Sequence, residues 1–246
     1  MTDDVKLSKR ALVTGGSGGL GRAICEQLAR DGLHVIVHAN KALAKAQAVV
    51  DAILAQGGSA EAVSFDVTNR VATAEALETL GEAGPIQVLV NNAGIHDDVV
   101  FPGMSGDQWD RVIDVSLNGF FNVTQPLSMP MLRTRWGRVI NISSVSAVAG
   151  NRGQVNYAAA KGALHAASKS LALEMASRGV TVNVVAPGII DSGMAEGQFD
   201  GDMIKKMVPM QRAGRASEVA DLVSFLASER AGYISGQVIS INGAMI

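Results

Sequence analysis

Tyr157 and Lys161 stand four residues apart in Tyr157-Ala158-Ala159-Ala160-Lys161, and on a helix that spacing puts both side chains on one face. A free phenol has a pKa of about 10, too high for efficient proton transfer near neutrality. A neighbouring ammonium stabilises the phenolate and lowers that value. A tyrosine so placed can hand a proton to a carbonyl oxygen while hydride arrives at the carbon. The spacing alone is common by chance, and an exposed tyrosine beside a solvated lysine is the plain alternative.

Two further groups bear on the same chemistry. Ser143 and Ser144 end an apolar run in Asn141-Ile142-Ser143-Ser144, where a hydroxyl can polarise a carbonyl or simply begin a turn. Thr14-Gly15-Gly16-Ser17-Gly18-Gly19-Leu20-Gly21 follows a short apolar run and opens a helical pattern. Glycines there let the chain turn tightly and bring backbone N–H groups up to a pyrophosphate at a helix N-terminus. Two registers fit, Gly16, Gly18 and Gly21 as G-x-G-x-x-G, and Gly15, Gly19 and Gly21 as T-G-x-x-x-G-x-G. Either alone could be only a turn; the strand–turn–helix setting favours a dinucleotide. The next strand ends in Val37-His38-Ala39-Asn40-Lys41, without the carboxylate that bonds the ribose 2′-hydroxyl of NAD. His38 and Lys41 could attract a 2′-phosphate, so NADP(H) is expected over NAD(H), with Asn40 beside it. The plain alternative for Lys41 is a solvated helix-start residue.

The elements that position these groups alternate along the chain. Strands are expected at 11–13, 34–37, 60–65, 87–90, 138–142, 180–185 and 237–241. Helices are expected at about 20–30, 41–56, 71–80, from Asp107 through Asn118 towards Met131, and at about 156–177 and 216–227. Runs rich in Val, Ile and Leu without alternation imply burial on both faces. The fold expected is therefore α/β, a Rossmann-type doubly wound parallel sheet of about seven strands with helices on both faces. In such a sheet ligands bind beyond the carboxyl ends of the strands. The glycine loop, Asn91-Asn92-Ala93-Gly94 and Ser144 all fall at such ends.

Composition narrows the class. Of 246 residues, 48% are hydrophobic and 18% charged, which excludes disorder. A net charge of −2 offers no basic field for nucleic acid. The single cysteine, Cys25, has no internal partner and reads as a small buried hydrophobe. Met1 to Arg10 lacks the apolar run of a signal peptide, and no apolar stretch reaches the roughly 20 residues of a membrane helix. No membrane partner and no metal is expected, and a cytoplasmic location is. No composition break divides 1–246, which is read as one domain. Segment 189–210, rich in Gly and Met with weak periodicity, reads as a substrate lid or a short helical insertion.

Thr14 to Gly21, Asn91-Asn92-Ala93-Gly94, Asn118, Ser144, Tyr157-x-x-x-Lys161 and Pro187-Gly188 together resemble the short-chain dehydrogenase/reductase family over nearly the whole chain. That resemblance implies roles. Ser144, thirteen residues before the tyrosine, would polarise the substrate carbonyl, and Asn118 would hold a water that relays protons to Lys161. Lys161 would also bind the nicotinamide ribose beside Tyr157. Gly15, Ser17, Gly18, Gly19, Leu20 and Gly21 would cradle the cofactor, Asp66 and Val67 its adenine. Asn92, Ala93 and Gly94 would line it, and Pro187, Gly188 and Ile190 would meet the carboxamide.

Within the family, the stretches at 137–141, 156–162 and 177–188 are similar to those of 3-oxoacyl-[acyl-carrier-protein] reductases. The implied activity is NADPH-dependent reduction of a 3-oxoacyl thioester, on acyl carrier protein or coenzyme A, in fatty-acid or related polyketide or polyene biosynthesis. Arg135 and Arg178 match arginines that dock the acidic carrier protein near the site entrance, or else are ordinary solvated arginines. A homotetramer packed through the helices bearing Asn118 and Tyr157 is implied, and the small faces at Ala158–Ala160, Ala163, Ala166 and Ala167 permit it. Two features depart from the pattern: Gly18 stands where many NADPH-dependent relatives carry Arg, and the tail 241–246 lacks paired glycines. Two alternatives stay open, a family member acting on a small alcohol, sugar or steroid, and a non-catalytic cofactor-binding scaffold.

Overall fold

Strands that are apolar on both faces need cover on both, and the chain supplies it by winding outward from its first strand in two directions. The computed structural model describes residues 9–191 and 201–246. Strand β1 (Arg10–Val13) leads through α1 (Gly19–Arg30) to β2 (His34–Ala39), then through α2 (Leu43–Ala55) to β3 (Ser59–Ser64). Helix α3 (Arg70–Glu82) carries the chain back to β4 (Ile86–Asn91) on the other side of β1. From there α4 (Gly106–Ile113) and α5 (Gly119–Thr134) lead to β5 (Gly137–Ile142). The short α6 (Ser146–Ala149) and the long α7 (Val155–Met175) lead to β6 (Val180–Pro187). The seven-stranded sheet runs β3-β2-β1-β4-β5-β6-β9, all parallel, closing on β9 (Val238–Ile241). The direction of winding reverses between β1 and β4, the switch point where an open α/β sheet leaves a crevice.

Alternate strand residues feed two separate cores. Ala11, Val13, Val35, Val37, Val88 and Val90 pack with Ile24, Leu28, Val50 and Ile53 of α1 and α2 and with Val219, Val223 and Leu226 of α9 (Ala216–Ala227). Leu12, Ile36, Leu89 and Val139 point the other way, to Leu77 and Leu80 of α3, Leu127 and Met131 of α5, and Met175 of α7. Each fully buried Leu or Ile contributes about 1.5–3 kcal/mol. On α7 the buried residues Asn156, Ala160, Lys161, Leu164, Ser168, Ala172 and Met175 form one stripe, as a helix on a sheet requires.

The structure adds three details to the sequence reading, and one of them, the interruption of a helix, departs from it. The helix expected from Asp107 is capped earlier by Ser105, whose hydroxyl accepts from Gln108 N while Gln108 returns the bond; Asp107 lies in the first turn. That helix is also interrupted, because residues Asp114–Asn118 form a π-helical turn between α4 and α5. In segment 189–210, Ile190–Asp191 (β7) pairs in parallel with Gly214–Arg215 (β8), and α8 spans Gly201–Met207; 192–200 lies outside the described residues. Among the described residues no helix is long and apolar enough to cross a membrane.

Candidate active site

At the switch point the ends of β1 and β4 are laced together. Thr14 Oγ1 accepts from the backbone N–H of Asn92 and of Ala93, each at 3.0 Å. Asn92 Nδ2 donates back to the carbonyls of Thr14, at 2.9 Å, and Gly15, at 3.1 Å. Gly15 takes φ +64°, a left-handed conformation that glycine adopts without penalty. Gly21 packs so closely that a Cβ there would run into the Gly15 carbonyl. Helix α1 then starts at Gly19 with no side-chain cap and no acidic residue in its first turn. Its first N–H groups are left for an anion, the arrangement that receives a pyrophosphate. This cradle fits a dinucleotide.

His38 does not do what its position suggested. It is buried, accepts from Gly15 N at Nδ1 (3.0 Å), and bonds the Phe65 carbonyl through Nε2 (2.8 Å). Both ring nitrogens are therefore engaged in fastening the glycine loop to β2 and β3. Burial, its largest influence, lowers its pKa, against opposing effects of the Phe65 carbonyl and Asp66, so it is no cation for a 2′-phosphate. Lys41 is exposed one residue beyond Asn40, also exposed. Asp66 is half-buried and holds Thr68 through N (2.9 Å) and Oγ1 (2.8 Å); Val67 is buried, with its carbonyl accepting from Asn122 Nδ2 at 2.9 Å.

Four elements assemble the reacting groups. Lys161 of α7 is buried, and its Nζ donates to the Ile142 carbonyl at the end of β5, at 2.8 Å. Burial pushes its pKa down to about 8. Nζ lies 5.9 Å from the centre of the Tyr157 ring. Ser144, one residue beyond Ser143, accepts from Ser146 N at 3.1 Å. Its hydroxyl bonds Tyr157 and draws the phenol's pKa down, but burial is the larger influence, and Asp98 adds to it. The net shift is upward, opposite to the sequence expectation, because desolvation of the phenolate outweighs what the neighbours supply. Asn156, fully buried, ties the start of α7 to the loop after β4 by donating to the carbonyls of Asp97 and Gln108, each at 3.1 Å, and caps Tyr157 N at 2.8 Å.

Asn118 is not part of this cluster. It is exposed, and its amide donates to Asp114 Oδ1 at 2.6 Å within the π turn. Ser116 occupies the inward position instead. Residues two apart on a helix do not share a face, so burying one exposes the other. A Cβ on Gly94 would lie 3.0 Å from Lys161 Nζ and 3.5 Å from Ser116 Oγ. The lysine and the serine therefore face one another across a residue with no side chain.

Arg135 and Arg178 are neighbours, both exposed; a Cβ on Gly179 would lie 2.7 Å from the Arg135 carbonyl. They precede β5 and β6, at the amino edge of the sheet, whereas Ser144 follows β5 at the carboxyl edge. Six strand residues separate the edges by about 20 Å, so neither arginine flanks the entrance of its own chain's site. Pro187 accepts from Val145 N at 2.7 Å, Gly188 N donates to Ile241, and Ile190 is buried, which sets all three at the carboxyl edge. Sequence reasoning missed Ser116, Asp98, Asn156 and Gln154. Gln154 links Ser146 Oγ, at 2.8 Å, to Asp98 Oδ2, also at 2.8 Å.

Comparison with known proteins agrees with this geometry. The family model for short chain dehydrogenases matches residues 9–202. The 3-oxoacyl-[acyl-carrier-protein] reductase FabG of Aggregatibacter actinomycetemcomitans is 43% identical over 97% of this chain and 100% of its own length. The protein of that name from a Staphylococcus epidermidis strain is 43% identical over 97% and 99%. Nodulation protein G of Azospirillum brasilense is 44% identical over 96% and 98%. With a tyrosine, a serine and a buried lysine gathered beside a dinucleotide cradle at the switch point, the chain belongs to the short-chain dehydrogenase family of oxidoreductases.

Proposed function

We propose that this oxidoreductase reduces a 3-oxoacyl thioester, carried on acyl carrier protein or coenzyme A, to the 3-hydroxyacyl thioester, with NADPH as the preferred cofactor. The observation that carries the reading is the convergence of Ser144, Tyr157 and Lys161 on the crevice where the glycine loop ends β1. The similarity to FabG reductases over nearly the full chain supplies the substrate class.

The glycine loop from Gly15 to Gly21 and the N-terminus of α1 would hold the pyrophosphate. Asp66 and Val67 would hold the adenine, and Asn92, Ala93, Gly94, Pro187, Gly188 and Ile190 the nicotinamide end. When bound, the cofactor supplies hydride to the carbonyl carbon. Ser144 donates a hydrogen bond to the substrate oxygen. Tyr157, kept protonated at neutral pH by its raised pKa, gives that oxygen its proton. Lys161, charged below pH of about 8, stabilises the phenolate left behind. Lys41 is the exposed cation near the end of β2 available to a 2′-phosphate.

We place the chain in a cytoplasmic homotetramer. Arg135 and Arg178 can meet a carrier protein at a site entrance only across such an assembly. Segment 189–210 is assigned to the substrate as a lid over this single domain. The test is NADPH oxidation with 3-oxoacyl-carrier-protein, its coenzyme A analogue and a panel of free ketones, NADH being the paired control. Thioester turnover that exceeds that of every free ketone is expected. Fast turnover of a free ketone with negligible thioester activity would assign the chain to small carbonyl substrates.

A further inference from the structure

The Gly15 peptide is gripped from both sides of β1. Its carbonyl accepts from Asn92 Nδ2 on the β4 side at 3.1 Å, and its N–H donates to His38 Nδ1 on the β2 side at 3.0 Å. We propose that His38 is a positioning residue for the dinucleotide, coupling the glycine loop to the adenine loop and tying cofactor affinity to one proton. The neutral ring holds both loops in place, and a proton on Nδ1 releases the glycine loop. This rests on the reading of the glycine loop as a dinucleotide cradle.

Three observations converge. His38 is 2% exposed near the carboxyl end of β2, so bulk water does not replace a lost partner. Its two nitrogens bond two different loops, Gly15 N through Nδ1 and the Phe65 carbonyl through Nε2 at 2.8 Å. The ring also packs on Phe65, with centroids 4.2 Å apart and planes inclined at 49°. Phe65 leads directly into Asp66 and Val67. One side chain therefore spans the pyrophosphate and adenine ends of the cradle.

The partners dictate the protonation state. A backbone N–H only donates, so Nδ1 must offer its lone pair; a carbonyl only accepts, so Nε2 must carry the hydrogen. A further proton has only Nδ1 to go to, and there it sets two donors facing one another at the separation of a hydrogen bond. Glycine has the backbone freedom to move, so the loop yields. Burial disfavours that proton, while the Phe65 carbonyl and Asp66 favour it. The other charged or titratable groups on neighbouring elements are otherwise engaged. Arg10 of β1 and Glu61 of β3 pair with one another. Cys25 of α1 stays a thiol because burial raises its pKa. Lys41 and Lys45 are exposed.

The experiment is calorimetric binding of oxidised NAD and NADP to the full chain across pH, without substrate, so the identity of the acyl group does not enter. NAD is the decisive arm, because the 2′-phosphate of NADP itself titrates near pH of about 6. Linkage to one proton changes affinity by at most about tenfold per pH unit, and the pyrophosphate charge, which favours a charged ring, opposes it. NAD affinity should therefore fall about tenfold from about pH 7.5 to about pH 5. His38→Asn puts an amide oxygen where Nδ1 stands and cannot titrate. Its affinity at neutral pH should stay within about threefold, and the pH dependence should vanish. His38→Gln reaches Phe65 instead and leaves Gly15 N without a partner. It should bind about tenfold more weakly at every pH, the loss expected for one buried hydrogen bond. Of the four histidines, the NMR signal missing from His38→Asn should show the Nε2–H tautomer, and its pKa should fall further when NAD binds. Equal affinities in His38→Asn and His38→Gln, or a pH dependence that survives in His38→Asn, would overturn the proposal. So would affinities that merely track the melting temperatures of the variants. An unaltered chain that binds neither dinucleotide at neutral pH sinks the cradle reading itself, whereas binding that ignores pH sinks only the coupling.

Discussion

Both edges of the sheet bury cations, and they treat them differently. At the amino edge Arg10 donates to the carbonyls of Leu80 and Gly84, each at 2.6 Å, and to Glu61 at 2.8 Å. Arg138, 2% exposed, donates to the carbonyls of Gly137, Gly179 and Ser228 and faces Glu229 at 3.7 Å. Trp136 lies beneath both Arg138 and Lys9, and its Nε1 bonds Glu229 at 3.0 Å. Both buried arginines there are answered by the fold. At the carboxyl edge Lys161 is as deeply buried, yet donates to the Ile142 carbonyl and otherwise faces the Ser116 hydroxyl, which has no partner among the described residues. A buried charge with its hydrogen bonds complete fastens elements together, and one left incomplete is available for chemistry.

Substitutions can break that contrast, and the largest effect belongs to the carboxyl edge. Tyr157→Phe keeps the ring and removes the proton, so kcat should fall by about 10²–10⁴ with the melting temperature unchanged. Steady-state kinetics beside a thermal melt checks both halves, and a variant retaining most of its rate would move the proton donor elsewhere.

Paired replacements sharpen it. Arg138→Met strands three carbonyls at the amino edge and should cost about 2–4 kcal/mol of stability, with kcat intact. Lys161→Met should do the reverse. Burial holds the Lys161 pKa down from 10.5 to about 8, so the fold keeps that charge at a cost on the order of 3 kcal/mol at neutral pH. Removing the charge should raise the melting temperature at pH 7 while abolishing activity. Denaturant melts on the two variants decide it; equal destabilisation by both would erase the distinction between the edges.

The same lysine sets a pH window. Its depressed pKa means that the unfolded chain binds the proton more tightly between pH 8 and 10.5, so its share of stability rises across that range. Reduction needs the ammonium, so kcat should be level below pH of about 8 and fall above it. A rate still level at pH of about 10 would show that Lys161 charge is not required. His38, whose pKa burial lowers from 6.5, gives the same sign at lower pH. Its contribution is complete above 6.5 and is lost as pH falls below it, where the unfolded chain takes up a proton that the folded ring refuses.

The sheet was legible because its strands have one signature throughout: Leu12, Ile36 and Leu89 are as buried as the neighbours that face the other core. The glycine loop was legible because backbone geometry dictates the residue, as at Gly15 and Gly21. The shared helix face of Tyr157 and Lys161 was legible in their spacing, and the strand end in Ser143 and Ser144, but the choice of Ser144 between the two came from the family resemblance alone. Ser116 was not legible, because a π turn changes which side chain points inward, and nothing in Asp114-Val115-Ser116-Leu117-Asn118 announces it. The more polar Asn118 attracted the assignment and proved to lie on the solvent side. His38 misled in a related way: its position in sequence suggested a cation, but only the fold shows both nitrogens already bonded. Arg135 and Arg178 depended on which end of a strand they precede, a matter of topology that composition does not carry.

The smallest effects concern the cofactor's phosphate, where the carboxyl edge meets solvent. Lys41 is exposed, so its attraction for a 2′-phosphate is screened and worth roughly 1 kcal/mol. Lys41→Ala should therefore raise KM for NADPH about fivefold and leave KM for NADH unchanged. Gly18 tests the converse. It is exposed, and a Cβ there would meet only the Gly15 carbonyl, at an ordinary 3.5 Å; at Gly21, three residues on, a Cβ would run into that same carbonyl. Gly18→Arg should fold normally and lower KM for NADPH relative to NADH, because a guanidinium on the loop adds a charge-assisted bond to phosphate. If Gly18→Arg leaves the NADPH-to-NADH ratio unaltered while Lys41→Ala changes it, recognition of the phosphate rests on the end of β2 alone. If neither moves it, neither residue recognises a 2′-phosphate, and the glycine loop serves the pyrophosphate only.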